Sequence, residues 1–327
     1  MHALLVKTSS LGDVVHNLPL VTDIQRHNPG AIIDWVVEET FADIPRLHPG
    51  VHRVIPVAVR RWRKALFSAA TWREMAAFRR QLREDCYDVV LDSQGLIKSA
   101  VIAQQARMAA NGRRLGFNAE AAREPFAARF YDIGFGIPKS AHAVERNRWL
   151  AAAAFGYTLD VPLDYGITAT PLSASWLPVK SYAVLFSGTS RADKLWPESD
   201  WVTLANALNT AVILPAGSAE EHERALRLAA QIHYAIVAPP LGIAELAGLL
   251  AGAQVVVGLD TGLTHLAAAL AKPTLAIFAG SDPELTGVHV ESGLANAINL
   301  GHKGAPPAAD EVIAAVRRLP RNLRTSP

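Results

Sequence analysis

Short apolar runs, each too brief for a helix and each closed by Ser, Gly, Asp or Pro, recur along the whole chain. The first is Ala3 to Val6, inside HALLVKTSSLGDVVHNLPLVTDIQRHNPG, where a Ser/Gly turn follows and the apolar positions then fall at helical spacing. AIIDWVVEE, VHRVIPV and CYDVVLDSQG repeat the strand signal with helical stretches between them. A parallel strand covered on both faces is apolar throughout rather than alternating. This rhythm therefore predicts βα units building a largely parallel sheet out to about residue 160.

The interval TATPLSASWLPVKS at 168–181 breaks the rhythm with two prolines and several hydroxyl residues, and is expected to be a linker. Beyond it the alternation restarts. Strands are predicted at YAVLFSG, AVILPAG, HYAIVAP, QVVVGLD and PTLAIFAG. Helices are predicted around DWVTLANALN, from Glu220 to Ala230, at IAELAGLLAGA, at THLAAALA and at DEVIAAVRRL, the last ending at Pro320. The expected organisation is two α/β domains, 1–167 and 182–327, joined by 168–181. Chemistry is expected in the cleft at the carboxyl ends of their strands.

Half of the 327 residues are apolar, enough for two cores. No run approaches the roughly 20 residues a membrane-crossing helix needs, and the amino terminus lacks the layout of an export signal, so a cytoplasmic protein is expected. The single cysteine, Cys86, excludes an internal disulfide framework and a multi-cysteine metal site. The net charge of +2 gives no reason to expect nucleic acid, but the charge is uneven. Residues 1–165 carry 21 basic and 17 acidic side chains, the remainder 11 and 13. The surplus gathers in RRWRK at 60–64, within a stretch free of acids between Asp43 and Glu74, so the first domain is expected to face something anionic.

Three strand-to-helix loops carry the candidate chemistry. In KTSSLGDVVHNLP, Asp13 is placed either to cap the next helix or to accept a proton from an attacking hydroxyl, with Lys7 and His16 nearby. FSGTSRADKLWP offers Gly188, Thr189 and Ser190 beside Arg191 and Lys194, an arrangement suited to an anionic leaving group although it is not a GxxxxGK[ST] loop. In GLDTGLTH, residues 258–262 are expected to make a turn and Thr264 to Leu270 a helix. Thr261 and the first helical amides then face a phosphate, and Asp260 or His265 a sugar hydroxyl. LPAGSAEEHERA adds Gly217 and two carboxylates, Glu221 and Glu223, either of which suits a ribose or the positive end of its own helix. A diphosphate leaving group fits these parts without a metal, and no HExxH or DxD anchor is present.

These loops, in order with WVVEETFADIP, VIPVAVRRWRKALFS, LDSQGLIKSA, AREPFAARFY and HAVERNR, resemble the heptosyltransferases of lipopolysaccharide core synthesis over nearly the whole chain. The resemblance implies a GT-B fold of two facing Rossmann-like domains with largely parallel sheets. It implies transfer of L-glycero-D-manno-heptose from ADP-heptose to the Kdo region of Kdo-lipid A, with inversion and with no cofactor or metal. By the same resemblance Asp13 is the general base and Lys194 lies at the donor phosphates. Thr189 and Ser190 are the adjacent hydroxyl pair, Ser190 standing where a threonine is expected. Asp260, Thr261, Gly262, Leu263 and His265 form the donor loop, with Thr264 where a serine is also common, and Glu221 approaches the ribose, a role Glu223 also fits. Arg60, Arg61, Arg63, Lys64 and Arg123 become candidates for the anionic acceptor, and Trp62, Leu66, Phe67, Trp72 and Phe78 for contact with a membrane. The implied setting is a monomer attached peripherally to the cytoplasmic face of the bacterial inner membrane, binding no nucleic acid. A transferase with another lipopolysaccharide acceptor, or a non-catalytic nucleotide-sugar or lipid-binding module, is the alternative. A dinucleotide oxidoreductase is disfavoured because the first strand leads into TSSLGDV rather than GxGxxG.

Overall fold

The computed structural model describes residues 1–189, 191–291 and 296–320. The chain divides into two units, Met1–Ile167 and Thr168–Pro327. Each is built on a six-stranded sheet whose paired strands all run parallel.

In the first unit the strands are β1 His2–Val6, β2 Ile32–Glu38, β3 Arg53–Val57, β4 Tyr87–Asp92, β5 Met108–Phe117 and β6 Ile133–Phe135, ordered β3-β2-β1-β4-β5-β6. In the second they are β7 Tyr182–Phe186, β8 Ala211–Leu214, β9 Ala235–Val237, β10 Val255–Leu259, β11 Thr274–Ile277 and β12 Ala297–Leu300, ordered β12-β11-β10-β7-β8-β9. Both are the same doubly wound order. The direction of winding reverses between β1 and β4, and again between β7 and β10, which is where such sheets open a crevice at their carboxyl edge.

The apolar runs form strands because helices cover both faces. Leu4 and Val6 of β1 share a buried cluster with Val36, Ile55, Val90 and with Phe78 and Leu82 of the helix Ala69–Leu82. In the second unit Leu185, Val257 and Leu275 pack with Trp196, Trp201 and Val312, the two indoles meeting edge to face with centroids 5.0 Å apart. Residues 168–181 form no helix or strand, and the Leu172 amide donates to the Gly248 carbonyl (3.0 Å), tying this segment to the second unit.

Three strands lie outside the sequence pattern. β5, MAANGRRLGF, carries arginines and glycine because only its last three residues are buried, and Gly112 is required there since a Cβ would meet the Tyr87 carbonyl oxygen at 2.5 Å. β6 and β12 are short edge strands with little buried surface to demand an apolar run. A second difference concerns GLDTGLTH. Gly258 is the fourth residue of β10 rather than part of the turn, and the following helix begins at Gly262 with Thr261 as its cap. Gly258 lacks a side chain because Thr264 of that helix packs directly onto it, with Phe186 of β7 on the same side.

Gly258→Ala is expected to drive a methyl group into Thr264 and Phe186, lowering stability by about 1–3 kcal/mol as overpacked cores do. Thermal or denaturant unfolding of the variant measures this directly.

Candidate active site

β1 ends at Val6, and the loop after it is fixed from the neighbouring strand. Beyond β4, the Gln94 side-chain oxygen accepts the amides of Thr8 (2.7 Å) and Ser9 (3.1 Å), while its amide nitrogen donates back to the Ser9 carbonyl. Asp92 holds Gln94 in turn, accepting the Gln94 amide (2.8 Å) on Oδ1 and the Tyr131 hydroxyl (2.7 Å) on Oδ2. The loop thus enters the helix Leu11–Val15 in one arrangement, with Asp13 in its first turn.

Asp13 both caps its helix and pairs with a cation. Its Oδ2 accepts the Ser10 amide (2.9 Å) and hydroxyl (3.2 Å), and Arg123 grips both oxygens, Nη2 to Oδ1 at 2.6 Å and Nη1 to Oδ2 at 3.2 Å. Such a fork is the stronger form of carboxylate recognition. The Asp13 side chain is 14% exposed, that of Arg123 46%. Burial works to raise the Asp13 carboxyl, but the charges of Lys7 and Arg123, with hydrogen bonds from Arg123 and Ser10, outweigh it and hold the group below the usual carboxylate range.

Lys7 is almost wholly buried, donating to the Ser93 carbonyl (2.7 Å) and reaching Asn147 Oδ1 (3.4 Å). Burial, opposed chiefly by Asp13, pushes its ammonium down to about 8. With Asp13, Gln94, Arg123, Arg146 and Asn147 it lines a cavity of about 20 Å³, room for about one water. The unit therefore concentrates three cations around one carboxylate, a polarity suited to an anionic substrate whose hydroxyl must approach a base.

RRWRK divides. Arg61 is engaged by Glu39 (Nε, 3.0 Å) and Glu74 (Nη1, 2.7 Å), and Arg60 lies over the Phe41 ring at 5.4 Å. Arg63 and Lys64 are exposed and form no ion pair among the described residues. Trp62 and Phe78 are buried against each other, whereas Leu66, Phe67 and Trp72 stand exposed.

In the second unit the corresponding loops are those after β7 and β10. Lys194 Nζ meets Asp260 Oδ2 at 2.6 Å, the Ser281 hydroxyl donates to the same oxygen at 2.5 Å, and His265 Nε2 lies 3.4 Å from Oδ1. Burial would raise the Asp260 carboxyl, but hydrogen bonds from His265, Lys194 and Ser281 hold it well below the usual range. Thr264 anchors the turn by donating to the Leu259 carbonyl (2.7 Å), and Thr261 Oγ1 lies 3.2 Å from Thr264 Oγ1. Gly262 and Leu263 open the helix, half-buried, with their amides at its positive end.

Glu221 and Glu223 are told apart. Glu221 Oε2 accepts the Gly217 amide (2.7 Å), and its side chain lies close enough to Gly188 that a Cβ there would meet Glu221 Cγ at 2.6 Å. Glu223 is exposed. Thr189 is half-buried beside Gly188, Arg191 is taken up by Asp193 (Nε, 3.0 Å), and Ser190 lies outside the described residues.

The sequence pattern did not single out Gln94 or Ser281. Both follow a strand's carboxyl end, in LDSQG and FAGSD, where the rule for ligand sites in parallel sheets would have pointed.

A metal has one candidate among the described residues, His2, Asp34 and His52, whose ligand atoms lie within 4.8 Å of one another. Asp34 is already filled by Arg53 (Nη2, 2.9 Å) and the Tyr87 hydroxyl (2.9 Å). The trio also includes the first residue of β1, at the edge away from Asp13.

Against this geometry, the model of the family described as Glycosyltransferase family 9 (heptosyltransferase) matches residues 75–310. The chain belongs to glycosyltransferase family 9. It is 47% identical over 296 residues to lipopolysaccharide heptosyltransferase 1 of Pseudomonas aeruginosa, covering 89% of this chain and 82% of that one. To the enzyme of the same name from Escherichia coli K12 it is 46% identical over 291 residues, 88% and 90% of the two chains. The solved structure of E. coli heptosyltransferase WaaC with ADP superposes with a TM-score of 0.87 at 42% identity, covering 97% of this chain and 99% of that one. WaaC with ADP-2-deoxy-2-fluoro heptose gives 0.84 at the same identity and coverage. The family 9 fold here is therefore GT-B.

Lys7 supplies a pH test within this family 9 site. Its folded value, about 8, lies below the 10.5 of a free lysine, so between those pH values the unfolded chain binds the extra proton and this group's contribution to stability grows as pH rises. Lys7→Met is expected to abolish that gain, up to about 3 kcal/mol. The measurement is the difference in unfolding free energy between wild type and variant, followed from pH 8 to 10.5.

Proposed function

We propose that this chain is an inverting heptosyltransferase. It transfers L-glycero-D-manno-heptose from ADP-heptose to the Kdo region of Kdo-lipid A, acting as a monomer without a metal on the cytoplasmic face of the inner membrane. The observation that carries the reading is Asp13, mostly buried at the carboxyl end of β1 yet held ionised beside Lys7 and Arg123. The relatives support it: their names state heptosyl transfer to lipopolysaccharide, and the two WaaC structures hold ADP and a fluorinated ADP-heptose.

The reaction is a single displacement. The acceptor hydroxyl attacks the anomeric carbon of the heptose, its proton passes to Asp13, and the bond from that carbon to the diphosphate oxygen breaks, releasing ADP. Asp13 in its ionised state is a weak base, because Arg123 and Lys7 stabilise the charge it must share. An acceptor carboxylate or phosphate that draws Arg123 toward itself restores basicity to Asp13 while leaving Lys7 to keep it ionised. On the donor side Lys194, fixed by Asp260, meets the charge that builds on departing ADP, helped by the Thr189 hydroxyl and the amides at Thr261 and Gly262. Glu221, beside Gly188 and Gly217, is the carboxylate for the ribose. Leu263 and His265 complete the donor loop, Ser190 continues the hydroxyl pair, and Arg60, Arg61, Arg63, Lys64 and Arg123 serve the acceptor.

Purified protein given ADP-heptose and Kdo-lipid A is expected to yield a heptosylated lipid of inverted anomeric configuration, read by mass and linkage analysis. Asp13→Asn should retain donor affinity while turnover falls by roughly 10²–10⁴, the usual weight of a general base. Near-normal turnover at saturating substrates would remove the assignment. Lys194→Ala is expected to weaken ADP-heptose binding and to lower turnover on the order of 10²-fold, seen in donor titrations and single-turnover rates.

A further inference from the structure

The turn after β4, from Ser93 to Ile97, touches both halves of the Asp13–Arg123 pair. On one side the Gln94 carboxamide holds the loop that leads to Asp13. Its oxygen accepts the Thr8 amide (2.7 Å), the Ser9 amide (3.1 Å) and the Thr8 hydroxyl (3.2 Å), and its nitrogen donates to the Ser9 carbonyl. On the other side the Gly95 carbonyl accepts the Glu124 amide (3.0 Å), and Glu124 Oε2 accepts the Ile97 amide (2.6 Å), so the residue after Arg123 is tied to this turn at both ends. Gly95 has a φ of +67°, and a Cβ there would come within 3.2 Å of the Phe117 ring and 3.3 Å of the Arg123 amide nitrogen. The Arg123 backbone is thus seated directly on the turn that grips the Asp13 loop.

The turn is itself fixed from beneath. Asp92, fully buried, accepts the Gln94 amide (2.8 Å) and the Gly95 amide (3.2 Å) on Oδ1 and the Tyr131 hydroxyl (2.7 Å) on Oδ2. Lys98, in the first turn of the helix Ile97–Gln105, adds a bond from Nζ to Ser9 Oγ (2.9 Å). Gln94 is 2% exposed, so its influence on a reaction passes through the loop it holds.

We propose that Gln94 is a positioning residue for the transfer, setting Asp13 against Arg123 so that the carboxylate reaches the acceptor hydroxyl. The inference rests on Asp13 as the base of the proposed function and deepens that reading by naming what places it. A base must come within hydrogen-bond reach of the proton it takes, and a displacement of about 1 Å can cost on the order of 10²-fold in rate. Asp13 stands in a helix of five residues, too short to hold its own orientation, so the rigidity must come from across the sheet. A carboxamide suits this work because it accepts from two amides and donates to a carbonyl. A glutamate would set oxygen against oxygen at Ser9 and bring a second negative charge toward Asp13.

The test is a double-mutant comparison of single-turnover rates at saturating ADP-heptose and Kdo-lipid A, in wild type, Gln94→Ala, Asp13→Asn and the double variant. Gln94→Ala is expected to slow transfer roughly 10²-fold in the wild-type background and at most about threefold in the Asp13→Asn background, because a residue that acts through the base has nothing left to place. ADP-heptose affinity, followed by titration, should keep its wild-type value, since the donor loops belong to the second unit. Gln94→Glu has the same length and still accepts the Thr8 and Ser9 amides, so it carries the same comparison if the alanine variant does not fold. It is expected to slow transfer roughly tenfold with Asp13 present, the weight of one lost hydrogen bond, and at most about threefold in the Asp13→Asn background. A loss of equal size in both backgrounds assigns Gln94 a purely structural role and overturns the proposal, as does a wild-type rate for Gln94→Ala. Near-normal transfer by Asp13→Asn alone removes the base assignment and this inference with it, whereas equal losses beside an impaired Asp13→Asn remove this inference alone.

Discussion

The reversal of winding in a parallel sheet is the constraint on which everything else here depends. Between β1 and β4 the chain leaves the sheet toward opposite faces, so the loops at their carboxyl ends must part, and the same holds between β7 and β10. A parted pair of loops exposes backbone amides at helix starts and accommodates polar side chains that a strand interior would reject. Asp13 and Gln94 occupy the first of these partings, Lys194 and Asp260 the second. One topological rule thus acts twice, and the two results differ only in which charges fill it.

Those charges follow a common logic. Each parting holds a carboxylate that burial alone would push toward neutrality, and each keeps it ionised with cations and hydrogen bonds. The balance differs between them. Asp260 is met by one lysine, a serine hydroxyl and a histidine, so charge nearly cancels and the group acts as a clamp that orients Lys194. Asp13 stands among Lys7, Arg123 and Arg146, so the site remains positive with the carboxylate fully ionised. A clamp suits a site that grips a diphosphate and then releases it. Surplus positive charge suits a site where an anionic acceptor must be drawn in before its hydroxyl can be deprotonated.

Much of this was legible in the chain because strands buried on both faces leave an unmistakable apolar run, and because Gly, Thr, Asp and Lys in strand-to-helix loops have few structural uses at such density. β5, β6 and β12 were not legible, since an edge or half-exposed strand is under little pressure to be apolar. Gly258 was misplaced because a glycine demanded by a helix packing on its strand looks, in sequence, like one demanded by a turn. Gln94 and Ser281 stand at carboxyl ends of strands, where ligand sites of parallel sheets gather, but each acts on a residue of another loop, and composition does not mark which side chain there does so. That Glu221 rather than Glu223 lies beside Gly188 depends on which side of one helix turn faces that glycine, a question of packing rather than composition.

The distribution of basic residues carries the same lesson at larger scale. In the second unit the cations of the loop after β7 and of the helix Ala219–Ala229 are matched within the fold: Arg191 with Asp193, Lys194 with Asp260, Arg224 and Arg227 with Glu198. In the first unit Arg148 is likewise matched with Asp23 and Arg53 with Asp34, yet the run from Arg63 to Arg83 is not. Matched pairs hold a protein's own elements together and contribute little to an external field, whereas unmatched ones keep most of their attraction for a partner. Sequence shows only the surplus. The pairing tells these cations apart, and it distinguishes Arg61, which meets Glu39 and Glu74, from its neighbours Arg63 and Lys64 in the same five-residue string.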